Sequence, residues 1–388
     1  MNIGVVVHGP EIVDNGYAEK ILKILREFSK EYGLKININA KIGGNIGRTA
    51  VIDRNLERII DISEKLYPSQ CLKKLKDNDI LLLINYGKSK ETGHTFGRIV
   101  IERANIDKPI IQIERPGEVD GSIIIWNKEK MEEGSEKYLN KLIEYLSNKL
   151  NLNSEECISN GLTLWEEDGK VFRKISTVDA GENIMVNGII IGYAIKNPII
   201  LISKDNRLID VINGEIKKEG MERLGPIDLK NAIIKTGILR RNIPNIPYNI
   251  GGIKNMENKP SIKLSERGSV LILWDTKRDI LKELNNKNIS SIITIGSDTT
   301  IIYGNMLWRF NIKIIGIVED DFHNHNIIKN PLITKGSKIF LIKNKTNAPI
   351  YKLIWNNLKN KELKYDDTLN YINNLLDRNN VDYDIINS

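Results

Sequence analysis

Several short stretches of this sequence are apolar nearly throughout: residues 3–7, 80–84, 110–113 and 123–126. A strand with one face in water alternates apolar and polar residues, so runs of this kind must be covered on both faces. Helical-period segments separate them. In residues 18–32 the apolar positions are Ile21, Leu22, Leu25 and Phe28, and from Thr49 onward they are Val51, Ile52, Leu56, Ile59 and Ile60. Residues 99–104 and 132–150 read as further helices. Strand alternating with helix predicts an α/β fold in which residues 1–152 form a Rossmann-like or flavodoxin-like domain around a parallel sheet.

The pattern changes after this point. Short strands punctuated by turn formers fill residues 153–243, and the runs on either side of Asp168-Gly169 predict a hairpin. Asn187-Gly188, Asn197-Pro198 and Asn213-Gly214 mark further turns. This stretch is expected to be a β-rich middle domain, on the pattern of a small barrel. Pro244, Pro247, Gly251, Gly252 and Pro260 predict a linker over residues 244–264. Residues 265–388 return to the α/β rhythm, with strands at 270–274, 292–295, 312–318 and 339–342, and helices at 280–284 and 301–310. The residues after 345 read as helices with an Asn-rich, frayed end.

A chain of 388 residues holds two or three domains of ordinary size. No apolar run approaches the roughly 20 residues of a membrane span, and residues 1–7 lead straight into a strand without the basic leader of a signal peptide. Cys71 and Cys157 stand far apart without neighbouring ligand-type residues, which fits a reducing, cytoplasmic setting better than a disulfide or zinc framework. The net charge of +7 and pI near 9.0 suit a polyanion, but the lysines are spread along the chain rather than massed, so nucleic acid is a less favoured partner than a small ligand.

Ligands of open parallel sheets bind outside the carboxyl ends of the strands, which directs attention to the loops there. His8 and Gly9 follow the first apolar run. A second strand expected at residues 34–40 is followed by Gly43, Gly44, Gly47, Arg48 and Thr49, which open a helix, where bare N–H groups and a guanidinium would hold an anion. The alternative is a tight turn with Thr49 as helix cap. Gly93, His94, Thr95 and Gly97 are placed in a loop after the third strand, and Glu114 and Arg115 after the fourth. His8 and His94 are the acid–base candidates. Near the end of the chain, Asp275, Asp298 with Thr299 and Thr300, and Glu319-Asp320-Asp321 each terminate a strand. Asp298, Thr299 and Thr300 are candidate ligand-binding residues. Asp275, Glu319, Asp320 and Asp321 would suit Mg²⁺, because hard cations prefer oxygen donors. Capping of the next helix by Asp298 is the plain alternative. His323 and His325 follow in a polar stretch.

The segments Gly4 through Asp14, Gly47 through Asp53, Glu114-Arg115-Pro116-Gly117, Gly296 through Thr300 and Ile315 through Asp321 together resemble an uncharacterised protein family of methanogenic archaea, a domain of unknown function. The resemblance implies an archaeal, cytosolic setting and no particular reaction. The residues themselves point to an enzyme binding a nucleotide-like or phosphorylated metabolite, with phosphoryl or nucleotidyl transfer as the expected chemistry. A non-catalytic metabolite sensor or assembly factor is one alternative. An RNA-binding module on the β-rich segment is another, and it needs stacking aromatics on one sheet face, where the sequence has few.

Overall fold

The computed structural model describes residues 1–130, 136–176, 178–237, 262–319, 333–343 and 349–387. The chain divides into two compact units, Met1–Thr163 and Leu164–Ser388. Asp320, Asp321, His323, His325 and most of the 244–264 stretch lie outside the described residues. Among the described residues no helix is long and apolar enough to cross a membrane.

The first unit is built on a six-stranded sheet. Its strands are β1 (Asn2–His8), β2 (Asn37–Ile42), β3 (Ile80–Asn85), β4 (Ile110–Glu114), β5 (Ser122–Trp126) and β6 (Asn153–Glu155), in the order β2-β1-β3-β4-β5-β6. Helices α1 (Glu11–Asp14), α2 (Tyr17–Glu31), α3 (Asn45–Asp53), α4 (Pro68–Leu75), α5 (Lys90–Ala104) and α6 (Glu136–Leu150) connect them. Successive strand residues point to opposite faces, and both faces are covered. Ile3, Val5, Val7, Ile80, Leu82 and Ile84 join a core with Ile21, Leu25 and Phe28 of α2, Ala50 and Val51 of α3, and Leu142 and Leu146 of α6. Val6, Leu81 and Leu83 point the other way, onto Leu72 and Leu75 of α4 and Val100 and Ile101 of α5. Each such Ile or Leu removed from water contributes about 1.5–3 kcal/mol.

β1 to β4 are parallel, as the apolar runs predict. β5 runs antiparallel to β4. The intervening residues 115–121 are too few for a parallel crossover, which needs roughly a dozen residues. Helix α4 has no counterpart in the sequence reading. It is started by Pro68 and by the Gln70 side chain, whose Oε1 accepts the Tyr67 N–H at 2.8 Å.

In the second unit, two four-stranded antiparallel sheets share one apolar core. One contains β9 (Asn183–Val186), β10 (Ile189–Ala194), β13 (Gly214–Ile216) and β14 (Ile234–Gly237). The other contains β7 (Thr163–Glu167), β8 (Lys170–Ile175), β11 (Ile199–Lys204) and β12 (Arg207–Ile212). Ile184, Val186, Ile189 and Ile191 meet Ile199, Leu201, Leu208 and Val211 between them, so the arrangement is two facing sheets rather than a barrel. The β7–β8 and β9–β10 hairpins turn at Asp168-Gly169 and Asn187-Gly188, and all four residues have φ between 49 and 84°. Asx-Gly adopts that left-handed pair at little cost. Helix α7 (Lys218–Leu224) follows β13.

The rest of this unit is a mixed sheet in the order β19-β15-β16-β17-β18-β20. β15 (Gly268–Leu273), β16 (Ile289–Ile295), β17 (Ile315–Glu319) and β18 (Lys338–Ile342) are parallel. α8 (Ile280–Asn286) and α9 (Ser297–Trp308) connect the first three. β19 (Glu362–Leu363) and β20 (Tyr383–Asn387) are antiparallel edges, and α10 (Ile350–Leu358) and α11 (Tyr365–Arg378) flank them in sequence. The expectation of a frayed helical end is therefore corrected. Asn379 and Asn380 end α11, and Tyr383–Asn387 pairs with β18, a partner that only the assembled sheet supplies.

Candidate functional site

Register aligns three strand ends in the first unit. His8 ends β1 beside Asn85 of β3, and Asn85 lies beside Glu114 of β4. Each is the polar residue that closes an apolar run, and their side chains are joined. Asn85 Nδ2 donates to both Glu114 oxygens at 2.8 and 3.1 Å. Its amide oxygen therefore faces His8 Nδ1, 2.7 Å away. An amide oxygen only accepts, so Nδ1 carries the proton and Nε2 is the basic nitrogen of the neutral ring. Phe96 of α5 stacks on the imidazole, centroid to centroid 3.9 Å and 15° from parallel, and fixes its plane.

Glu114 is wholly buried. Burial pushes its carboxyl upward from the ordinary range, opposed by donation from Asn85, the Gly87 N–H and Gln112. The Gly87 and Gln112 bonds are 2.7 and 2.9 Å. Gln112 is anchored in turn by Trp126 Nε1 at 3.0 Å. The result is a carboxylate–amide–imidazole chain with a packed interior end and a half-buried histidine at the other.

Residues 93–98 are not in a loop, which corrects the sequence reading. Ser89 caps α5, and Gly93, His94, Thr95 and Gly97 occupy its first two turns. A Cβ on Gly93 would lie 2.1 Å from Glu114 Cδ, and one on Gly97 would lie 1.9 Å from Gln112 Oε1. The two glycines let α5 sit directly over the buried acid and amide. Their spacing clears Glu114 and Gln112 on β4.

His94 points away from this chain into a second polar group. Its Nδ1 accepts the Ile158 N–H at 3.2 Å, which places the ring proton on Nε2, facing Glu155 Oε1 at 3.2 Å and Ser122 Oγ at 3.3 Å. Burial lowers its pKa and Glu155 opposes this. The serine and the acid meet the same nitrogen, so the trio lacks the relay of a nucleophile–base–acid triad, in which the two ring nitrogens have different partners. Thr95 Oγ1 is 2.7 Å from Ser159 Oγ, and Arg98 Nε donates to the Ser159 carbonyl at 2.5 Å. His94, Thr95 and Arg98 thus bind residues 158–159 to α5.

The glycine-rich turn after β2 has mixed roles. Gly44 is the N-cap of α3, which begins at Asn45 rather than Thr49. A Cβ on Gly43 would meet the Leu66 carbonyl oxygen at 1.8 Å, and one on Gly47 would meet Ile42 Cδ1 at 2.8 Å and come 3.8 Å from the Gly9 carbonyl carbon. Thr49 Oγ1 donates to the Asn45 carbonyl inside the helix at 2.8 Å instead of capping it. Arg48 is 1% exposed, and its Nε donates to the Ile62 carbonyl at 2.8 Å. Arg115 has φ +47° and fastens the loop after β3, its Nη1 donating to the Gly87 carbonyl at 2.5 Å and its Nε to Asp120 at 2.9 Å.

Of the candidates in the second unit, Asp298 and Thr299 lie against a buried arginine. Arg223 of α7 donates through Nη2 to Asp298 at 2.9 Å and through Nη1 to the Trp274 carbonyl at 2.8 Å. Its Nε lies 3.2 Å from Glu219. The other Asp298 oxygen accepts the Ile190 N–H at 2.9 Å. Asp298 is the second residue of α9, whose N-cap is Gly296, so it is not the capping residue. Thr299 Oγ1 is 3.4 Å from Arg223, and Thr300 Oγ1 is 2.9 Å from Thr294 Oγ1 within the helix–strand contact. Asp275 accepts the Lys277 N–H at 2.8 Å, a local turn. Among the described residues no group of three or more His, Cys, Asp or Glu is placed to hold a metal ion.

Burial raises the Glu219 carboxyl from 4.5 to about 7, with Arg223 opposing and Asp298 and Glu319 adding to the rise. A raised carboxylate pKa contributes stability that is fully present below about 4.5 and lost as pH rises through about 7. E219Q is therefore expected to remove a decline in stability between pH 4.5 and 7.5, worth about 3 kcal/mol at one pKa unit per 1.4 kcal/mol. Urea unfolding across that range measures it, and an unchanged pH slope in the variant would show that Glu219 is ionised throughout.

A family model described as an uncharacterized protein conserved in archaea, DUF2117, matches residues 5–362. The chain belongs to this family. It is also 50% identical over 387 residues to an uncharacterized protein of the archaeon Methanocaldococcus jannaschii, covering 99% of both chains. Among solved structures, an Argonaute of Aquifex aeolicus aligns with 89% of the chain at 13% identity and a TM-score of 0.17, and the chain spans 36% of that protein.

For this member of the family, sequence reasoning missed Asn85, Gln112, Glu219 and Arg223. Asn85 had a signal: it closes an apolar run as His8 and Glu114 do. Arg223 had none, because its partner Asp298 is 75 residues away.

Proposed function

We propose that the first unit is an enzyme domain that binds a small anionic, phosphorylated or nucleotide-like metabolite at the carboxyl edge of β1 and β3, with His8 as the acid–base residue. The His8–Asn85–Glu114 chain is the observation that carries this reading. It sits between the two central strands whose connections leave in opposite directions, β1 towards β2 and β3 towards β4. In a doubly wound, flavodoxin-like sheet that crevice is the ligand site. Glu114 and Asn85 hold the imidazole in one tautomer, as the orienting group does in hydrolytic and transfer enzymes. Phosphoryl or nucleotidyl transfer is the reaction class. His8 Nε2 takes the proton of the attacking hydroxyl as its oxygen bonds to phosphorus, and returns it to the departing oxygen. The helix α3 N-terminus behind Gly44 supports an anionic ligand by its dipole.

The test is to incubate the full chain with an archaeal metabolite extract, follow consumption by mass spectrometry, and repeat it with H8Q. Loss of the proton transfer is expected to lower kcat by roughly 100- to 10,000-fold with little change in KM. Retention of a metabolite by the parent without turnover would replace the enzyme reading with that of a metabolite sensor. Equal turnover by H8Q would remove His8 from the chemistry.

A further inference from the structure

The net charge is unevenly divided. Met1–Thr163 has 24 basic and 24 acidic residues, whereas Leu164–Ser388 has 33 basic and 26 acidic, so the second unit carries all of the +7. Within it, the sheet formed by β12, β11, β8 and β7 has one face on the apolar core, and Val171, Arg173 and Ile175 of β8 point to that side. The two-residue period places Lys170, Phe172 and Lys174 on the opposite face. Register brings Lys204 beside Lys170 and Arg207 beside Lys204. Within the strands, the same period and register put Glu167 and Asp210 on this side against Lys170, Lys174, Lys204 and Arg207. Across the β7–β8 hairpin, Trp165 and Phe172 stack with centroids 5.1 Å apart and planes within 5°, and Trp165 is 37% exposed.

We infer that this outer face binds single-stranded nucleic acid without sequence preference. Bases continue the Trp165–Phe172 stack, and phosphates lie against Lys170, Lys174, Lys204 and Arg207. Stacking accepts any base because each has a π-face, while a sheet surface presents the rings to a splayed strand and not to paired bases inside a duplex. The lysine and arginine positions flank the aromatic pair along the strands, as a backbone tracking the sheet requires. A protein partner would be served equally by Phe172 and by Ile212, which register places on this face through Ile200, but would have no use for a basic surround unless it were itself acidic.

Fluorescence anisotropy with labelled U20, dT20 and a 20-base-pair duplex, using the full chain, tests the assignment. Both single strands are expected to bind more tightly than the duplex, with a log–log salt slope that shrinks by about 0.7 for each phosphate contact removed in K174Q and K204Q. W165L, a change at an edge strand, is expected to weaken single-strand binding by about 5- to 100-fold with its thermal melt unchanged. If W165L unfolds, the salt slopes of K174Q and K204Q decide instead. Duplex bound as tightly as single strands, no binding by the parent, or slopes and affinities unmoved by these substitutions would overturn the assignment, as would self-association of the chain that W165L abolishes.

Discussion

R223M is expected to lower the unfolding free energy by about 3–5 kcal/mol, because it strands two buried carboxylates. Arg223 is 7% exposed and bridges Glu219 and Asp298 while also satisfying the Trp274 carbonyl. Methionine matches the bulk of its stem but supplies no donor. The cost should depend on pH. Glu219, already raised to about 7 while Arg223 opposes the rise, is protonated at pH 5.5, so the loss there should be smaller than at pH 8. The triple variant E219Q/R223M/D298N, which removes the charges together, should recover most of the stability. Urea unfolding of parent, single and triple variants at the two pH values measures this. A loss below about 1 kcal/mol at pH 8 would mean that water reaches the carboxylates and the cluster is not a dry ion pair.

G93A is the second large effect, expected at about 3 kcal/mol or more. The added methyl would sit 2.1 Å from Glu114 Cδ, and Glu114 cannot retreat without giving up its bonds to Asn85, Gly87 and Gln112. In a helix, alanine is otherwise about 1 kcal/mol better than glycine, so the sign of the change itself reports the clash. Coupling supplies the decisive measurement. In an E114A background the obstructing carboxyl is gone, and G93A should then cost far less or stabilise. Equal cost in both backgrounds would show that α5 is held off β4 by something other than Glu114. Because Glu114 orients His8 through Asn85, G93A should also impair the proton transfer proposed for His8.

The pattern of apolar runs was enough to specify that the sheet of the first unit is covered on both faces, since a strand apolar on both sides, like residues 80–84, can be buried only between two layers. Hairpin turns were equally legible, because Asp168-Gly169 and Asn187-Gly188 encode a backbone conformation by themselves. The same local logic placed His8 and Glu114 at strand ends. It failed for residues 93–98, where two glycines within six residues look like a loop but are cut to fit Gln112 and Glu114 on a strand reached only after folding. It failed at the last strand as well, since Tyr383–Asn387 extends because β18 has an edge to fill.

Composition and periodicity therefore determined the α/β layering, the turns and the strand ends at which polar residues gather, all of which are local or depend on burial alone. Tertiary structure decided which of those polar residues meet. His8 finds Asn85 across 77 residues, and Arg223 finds Asp298 across 75. A hydrogen bond or ion pair between such residues leaves no periodic trace in the chain, because its geometry is created by strand register and helix packing and exists only once both are in place.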